Sequence, residues 1–140
     1  MNKKLSRILS LLLVLLVAVA LLLSCGEGSV WDSATYREDT SLGDGATEVT
    51  VKITADGRTV TVTLLTDEAT LADALLAAEL CQGEIAQYGL MISHVNGIRA
   101  DYDLDHGYYW QISVNGETSM VGASDIPIVG GDTYELARTK

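Results

Sequence analysis

The chain has 140 residues, 48% of them hydrophobic, with nineteen Asp and Glu against nine Lys and Arg, one proline and no phenylalanine. This length supports one modest folded domain, and a net charge of −10 opposes contact with phosphate backbones and so excludes nucleic acid as a partner. Two cysteines are too few for a disulfide framework or a Cys-rich zinc site.

The amino terminus carries Lys3, Lys4 and Arg7 and runs into an uninterrupted apolar stretch over residues 11–23. A basic segment, an apolar segment and then a small residue make an export signal. Leu22-Leu23-Ser24-Cys25 resembles a bacterial lipobox, in which residues 1–24 are a lipoprotein signal peptide and Cys25 is diacylated as the first mature residue. Leu23 stands where Ala, Ser or Thr is more usual. The competing reading is an uncleaved membrane anchor, because residues 8–23 approach the roughly 18 apolar residues that span a bilayer. Both readings place the chain on the extracytoplasmic face of the bacterial cell membrane. Removing residues 1–24 takes away three of the nine cations and no anion, leaving six against nineteen, a net charge of −13, with Cys81 as the remaining free thiol. Cys81 reads as a small apolar core residue.

Residues 25–47 are rich in Gly, Ser, Thr and Asp without a sustained period. They read as a flexible linker from lipidated Cys25. Docking of Trp31 and Tyr36 on the domain or on lipid headgroups stays open, and solvated positions are the expectation. From residue 48 the pattern sharpens. Val49, Val51 and Ile53 alternate with polar residues, as do Val60, Val62 and Leu64. The Asp56-Gly57 pair between these runs predicts a β-hairpin. Thr70-Leu71-Ala72-Asp73 predicts a helix start, and Leu71, Ala74, Leu75 and Ala78 form its apolar stripe. The helix is expected to stop near Gln82-Gly83, with Gly83 as its C-cap. Short strands are expected over residues 90–95, 109–114 and 133–137, with turns at Asn115-Gly116 and Gly130-Gly131-Asp132. Residues 48–140 therefore read as an α+β, β-grasp-like domain in the order β-β-α-β-β-β. One helix packs on a mixed sheet of four to five strands.

Few residues carry recognisable chemistry. Asp101, Asp103 and Asp105 are spaced like the start of a calcium loop, but His106 stands where such a loop needs Gly and Ile112 where it needs Glu. A solvated acidic loop is the expectation, and no metal site. His94 and His106 have no closely spaced ligand partners. Ser93-His94 and Ser124-Asp125 are neighbours only in sequence, which does not make a triad. No nucleophile elbow, phosphate loop or dinucleotide fingerprint occurs. The expectation is a non-enzymatic protein without catalytic residues or a covalent cofactor.

The strongest local feature is GYYWQISVNGE at residues 107–117. With TLADALLAAE, HVNGI, a Gly-Ala-Ser loop and GGDTYELA, this strand resembles the transcobalamin C-terminal-like family, a domain-of-unknown-function family with bacterial lipoprotein members. The resemblance covers residues 48–140. In the vertebrate carriers of that name a small β domain closes over a cobalamin held against a larger helical barrel. The resemblance therefore implies cobalamin or a related corrinoid as the candidate ligand, and Tyr108, Tyr109, Trp110 and Gln111 as candidate ligand-binding residues. In a strand, Tyr109 and Gln111 face one way and Tyr108, Trp110 and Ile112 the other, so one set joins the core and the other is free. Two readings stay open for Trp110, core anchor or exposed platform. Two also stay open for the protein. It is a membrane-anchored corrinoid-binding lipoprotein, or a cell-envelope interaction module with no small-molecule ligand, recruiting a surface protein such as a transporter.

Overall fold

The computed structural model describes residues 3–24 and 28–140, except for the side chains of residues 14–24; Cys25 lies outside the described residues. Helix α1 is Lys3–Ser24 and a 3-10 turn follows at Val30–Ser33. The remaining elements are β1 (Thr40–Gly43), β2 (Thr47–Ala55), β3 (Arg58–Thr66), α2 (Leu71–Ala77), β4 (Cys81–Ala86), β5 (Gly89–Val95), β6 (Ile98–Arg99), β7 (Tyr109–Val114), β8 (Glu117–Thr118), a second 3-10 turn (Ala123–Asp125) and β9 (Thr133–Thr139). Among the residues whose side chains are described, no helix is long and apolar enough to cross a membrane; the apolar half of α1 lies beyond them.

The β2–β3 hairpin forms where the alternation places it. Asp56 and Gly57 take φ values of 48° and 74°, the left-handed pair that a two-residue loop between twisted strands requires. The strands pair without interruption from Thr47↔Thr66 to Ala55↔Arg58. Period-2 geometry then turns Val49, Val51, Ile53, Val60, Val62 and Leu64 to one face, all buried. β9 enters beside β2 in parallel, setting Tyr134 next to Val51 and Leu136 next to Ile53. β7 runs antiparallel to β9, with Ile112 opposite Leu136. The sheet order is β1-β3-β2-β9-β7-β8.

The α+β class and the mixed sheet hold, but the strand count does not. The main sheet has six strands rather than four to five, and β4, β5 and β6 form a separate three-stranded sheet. Two short strands account for the difference. β8 is only two residues long, folded back on β7 after Asn115-Gly116. β1 comes from the segment read as a linker and pairs in parallel with β3. The β4–β6 strands stand apart because Leu80, Val95 and Ile98 bury their side chains in the common core, so this unit covers the main sheet rather than extending it.

Helix α2 begins as its sequence requires. The Thr70 hydroxyl accepts from the Asp73 N–H at 3.2 Å, and Leu71, Ala72, Ala74 and Leu75 are buried. It ends earlier than expected, at Ala77. Glu79 takes φ 56°, its N–H bonds to the Leu76 carbonyl, and the Leu80 N–H reaches back to the Leu75 carbonyl. This is the double bond of a Schellman ending, with Glu79 in the place glycine usually fills. Gly83 is therefore not a helix cap. It lies in β4 at a register irregularity opposite β5, where a Cβ would collide with the Met91 carbonyl.

The other correction is the segment before residue 48. Trp31 is 4% exposed, and its indole N–H donates to the Ala55 carbonyl at 2.9 Å. Buried Asn96 clamps the backbone of Tyr36, accepting from its N–H at 2.8 Å and donating to its carbonyl at 2.7 Å. Low-complexity polar composition hid one large aromatic side chain with a buried partner, and that partner decides the outcome. Replacing Trp31 by Ala should cost about 3–5 kcal/mol of unfolding free energy, as for other buried aromatics. Gly57→Val should destabilise the hairpin through its positive φ alone. Urea denaturation checks both, and an unchanged midpoint for Trp31→Ala would return residues 28–43 to the status of a solvated spacer.

Candidate functional site

Strand β7 carries the four residues singled out in the sequence, and period 2 divides them. Trp110 is 8% exposed and belongs to the core, while Tyr109 on the opposite face is 41% exposed. Gln111, which shares the Tyr109 face, is half-buried. The Trp110 indole N–H donates to the Ser93 carbonyl at 3.3 Å, which ties β7 to the smaller sheet. Tyr108 serves elsewhere. The Arg138 guanidinium sits 3.9 Å from its ring centroid and the Lys140 ammonium 5.6 Å, a cation–π stack that occupies its face.

Tyr109, Trp110 and Gln111 meet at one shallow groove of about 310 Å³. Ile112 completes its strand side, and Thr118, Ser119, Val121 and Gly122 form the opposing wall. That wall is held by hydrogen bonds: Ser119 donates its N–H to the Ile112 carbonyl at 2.8 Å, and its hydroxyl donates to the Val121 carbonyl and accepts from the Val121 N–H. β8 pairs with β7 only at Ser113 and Val114. The Ile112 carbonyl points to this edge, so by strand alternation the Trp110 peptide groups point there as well, which leaves them facing the groove.

No charged side chain lines the groove, although the chain as a whole carries −10. A neutral surface with a half-exposed phenol, an amide and a strand edge suits a flat, largely apolar ligand or an extended peptide. The wall was not found from sequence, because residues 118–122 carry no period and reach β7 only through the fold. A partial signal was present in Gly122-Ala123-Ser124. Ala123 is fully buried, and the Ser124 hydroxyl accepts from the Leu90 N–H at 3.0 Å, which pins the wall to β5.

The acidic loop is committed internally. Arg99 bonds both Asp105 carboxylate oxygens, at 2.9 and 2.8 Å. The Arg99 hydrogen bond is the main influence that brings the Asp105 carboxyl down to about 2. One Asp101 oxygen accepts from the N–H groups of Asp103 and Leu104. Among the described residues there is no group of three or more His, Cys, Asp or Glu placed to hold a metal ion. His94 accepts or donates through Nδ1 to the Ser93 hydroxyl at 2.8 Å, while His106 sits exposed in the loop. Burial pushes the Cys81 thiol up to about 11, which keeps it protonated and unreactive.

Residues 68–137, half of the chain, match the family described as Domain of unknown function (DUF4430). Among solved structures, a protein from Ruminococcus gnavus ATCC 29149, provisionally described as metal binding, is similar at 28% identity. Its TM-score is 0.62, with 68% of this chain and 98% of that one covered. Haptocorrin in complex with Cbi is similar in fold at 19% identity and a TM-score of 0.51, over 70% of this chain. The match spans about a quarter (26%) of haptocorrin's length. No curated protein matches.

Because Trp110 is buried and Tyr109 is not, their substitutions should separate. Trp110→Ala should cost about 3–5 kcal/mol, whereas Tyr109→Ala and Gln111→Ala should leave the melting temperature nearly unchanged. Differential scanning calorimetry on the three variants checks this, and a large loss for Tyr109→Ala would place that ring in the core.

Proposed function

We propose that this chain, which belongs to the DUF4430 family, is a membrane-anchored extracytoplasmic binding lipoprotein of the transcobalamin C-terminal-like type, with a corrinoid as its first candidate ligand. The observation that carries this reading is the uncharged groove beside Tyr109 and Gln111, on a fold shared with haptocorrin, a protein solved in complex with Cbi. The β-grasp reading rests on the central parallel pair β2–β9, with β3 and β7 flanking it. Binding requires no catalytic groups, and we read the protein as non-enzymatic. Cys25 is the lipidated residue in this reading.

The size of the groove limits how such a ligand is held. About 310 Å³ is at the lower end of small-molecule sites, so the groove accepts one edge of a corrin ring and leaves the rest to a second surface. A transporter protein of the same membrane can supply that surface. The alternative is an envelope interaction module without a small-molecule ligand, favoured by the open Trp110 edge of β7, which can receive an extended segment of another protein as an added strand.

Two experiments test these readings. Titrating residues 26–140 with cobalamin and cobinamide should quench tryptophan fluorescence saturably, and Tyr109→Ala should weaken the interaction. Absence of quenching by any corrinoid would leave the interaction module standing in its place. Separately, Cys25→Ala should abolish lipid attachment and signal removal, and mass spectrometry showing an unmodified Cys25 in native membrane-extracted protein would end the lipoprotein reading.

A further inference from the structure

The structure shortens the tether. With the fold beginning at the 3-10 turn rather than at residue 48, five Cα steps separate Cys25 from Val30, a reach of at most about 18 Å. The turn is fixed in place by the Trp31 indole on the Ala55 carbonyl and by the Arg58 guanidinium 4.7 Å from the Trp31 ring centroid. Both partners flank the β2–β3 turn. An anchor at Cys25, or at the end of α1, therefore holds that end of the sheet near the bilayer.

The same end displays apolar side chains on a rigid loop. Tyr102 is 69% exposed and Leu104 65%. The loop bearing them is ordered by the Asp105 N–H on the Asp101 carbonyl at 2.7 Å and the Gly107 N–H on the Tyr102 carbonyl at 2.8 Å. It is tied to the β2–β3 turn through Arg138, which donates to the Arg99 carbonyl at 2.9 Å and lies 3.9 Å from Asp56. Tyrosine favours the membrane–water interface, where its ring meets apolar chains and its hydroxyl stays wet.

Charge is distributed to match. Of the six cations outside residues 1–24, Arg37, Arg58, Arg99, Arg138 and Lys140 gather at this end. The carboxylates there are Asp32, Glu38, Asp39, Asp56, Asp101, Asp103 and Asp105. Asp105 is paired with Arg99, and five cations against seven carboxylates leave this end at −2. β2 and β9 start at the opposite end, where Asp44, Glu48, Asp67, Glu68, Glu117 and Asp132 lie in turns and strand ends that hold no Lys or Arg. An anionic leaflet repels that far end most, which orients the domain.

We infer that the loop of residues 101–107 is a membrane-contacting surface, with Tyr102 and Leu104 entering the headgroup interface of the bilayer that anchors the chain and Arg58, Arg138 and Lys140 above the lipid phosphates. This rests on the anchoring proposed above. The contact is driven by apolar insertion rather than by net attraction, since the local charge is −2.

The test uses the full chain with its native anchor, reconstituted in phosphatidylcholine–phosphatidylglycerol vesicles with and without brominated acyl chains. Tyr102→Trp places a reporter in the loop. Tyr88→Trp, on the β4–β5 hairpin tip and 85% exposed, places one about 20 Å away along β5. The native tryptophans are buried and give a constant background. Brominated lipid should extinguish the added Tyr102→Trp emission and leave Tyr88→Trp at the level of the parent. A chain that floats with the vesicles while Tyr102→Trp stays bright, or while Tyr88→Trp is the one quenched, overturns the orientation and spares the anchor. A chain that does not float overturns both.

Discussion

The central constraint is the parallel pairing of β2 with β9. It joins a strand near the start of the domain to the one that ends it, and a parallel pair cannot be closed by a tight turn. Everything between residues 56 and 132 must therefore travel out and return. The return is held by Tyr134, whose ring is fully buried. Its hydroxyl donates to the Pro127 carbonyl at 2.9 Å and accepts from the Val129 N–H at 3.0 Å. One side chain thus packs the centre of the sheet and fastens the loop that leads into it.

The crossover supplies the second layer. α2 and the three-stranded sheet cover the apolar face made by β3, β2, β9 and β7, leaving a threonine-rich face uncovered. Two buried tryptophans fasten separate segments to the core, each placing its indole N–H on a backbone carbonyl: Trp31 on Ala55 of β2 and Trp110 on Ser93 of β5. No buried side-chain polar atom among the described residues lacks a partner. This satisfaction makes the two large polar aromatics compatible with a small core.

Function follows from what that core leaves outside. Burying Trp110 obliges its strand neighbours Tyr109 and Gln111 to face away, and the short β8 leaves the strand edge at Trp110 open. The result is a neutral groove on an acidic molecule. Trp31 has a separate consequence, because its bond to the Ala55 carbonyl brings the start of the fold forward to the 3-10 turn at residue 30, beside the β2–β3 turn.

Sequence alone determined the features that depend on near neighbours. The β2–β3 hairpin follows from alternation and Asp56-Gly57, the start of α2 from Thr70 and Asp73, and the span of β7 from its apolar and aromatic period. These rest on backbone preferences and side-chain periodicity within a few residues. Tertiary structure decided what depends on distant partners. Gly83 reads as a helix cap until the Met91 backbone comes against it. Trp31 reads as solvated until Ala55 offers a buried acceptor. Tyr108 and Trp110 share a predicted face, yet Arg138 takes one and the core the other. The groove wall at residues 118–122 has no periodic signal and exists only because Ser119 reaches Ile112 across the turn. A local pattern specifies which residues turn inward; only the assembled sheet specifies what they find there.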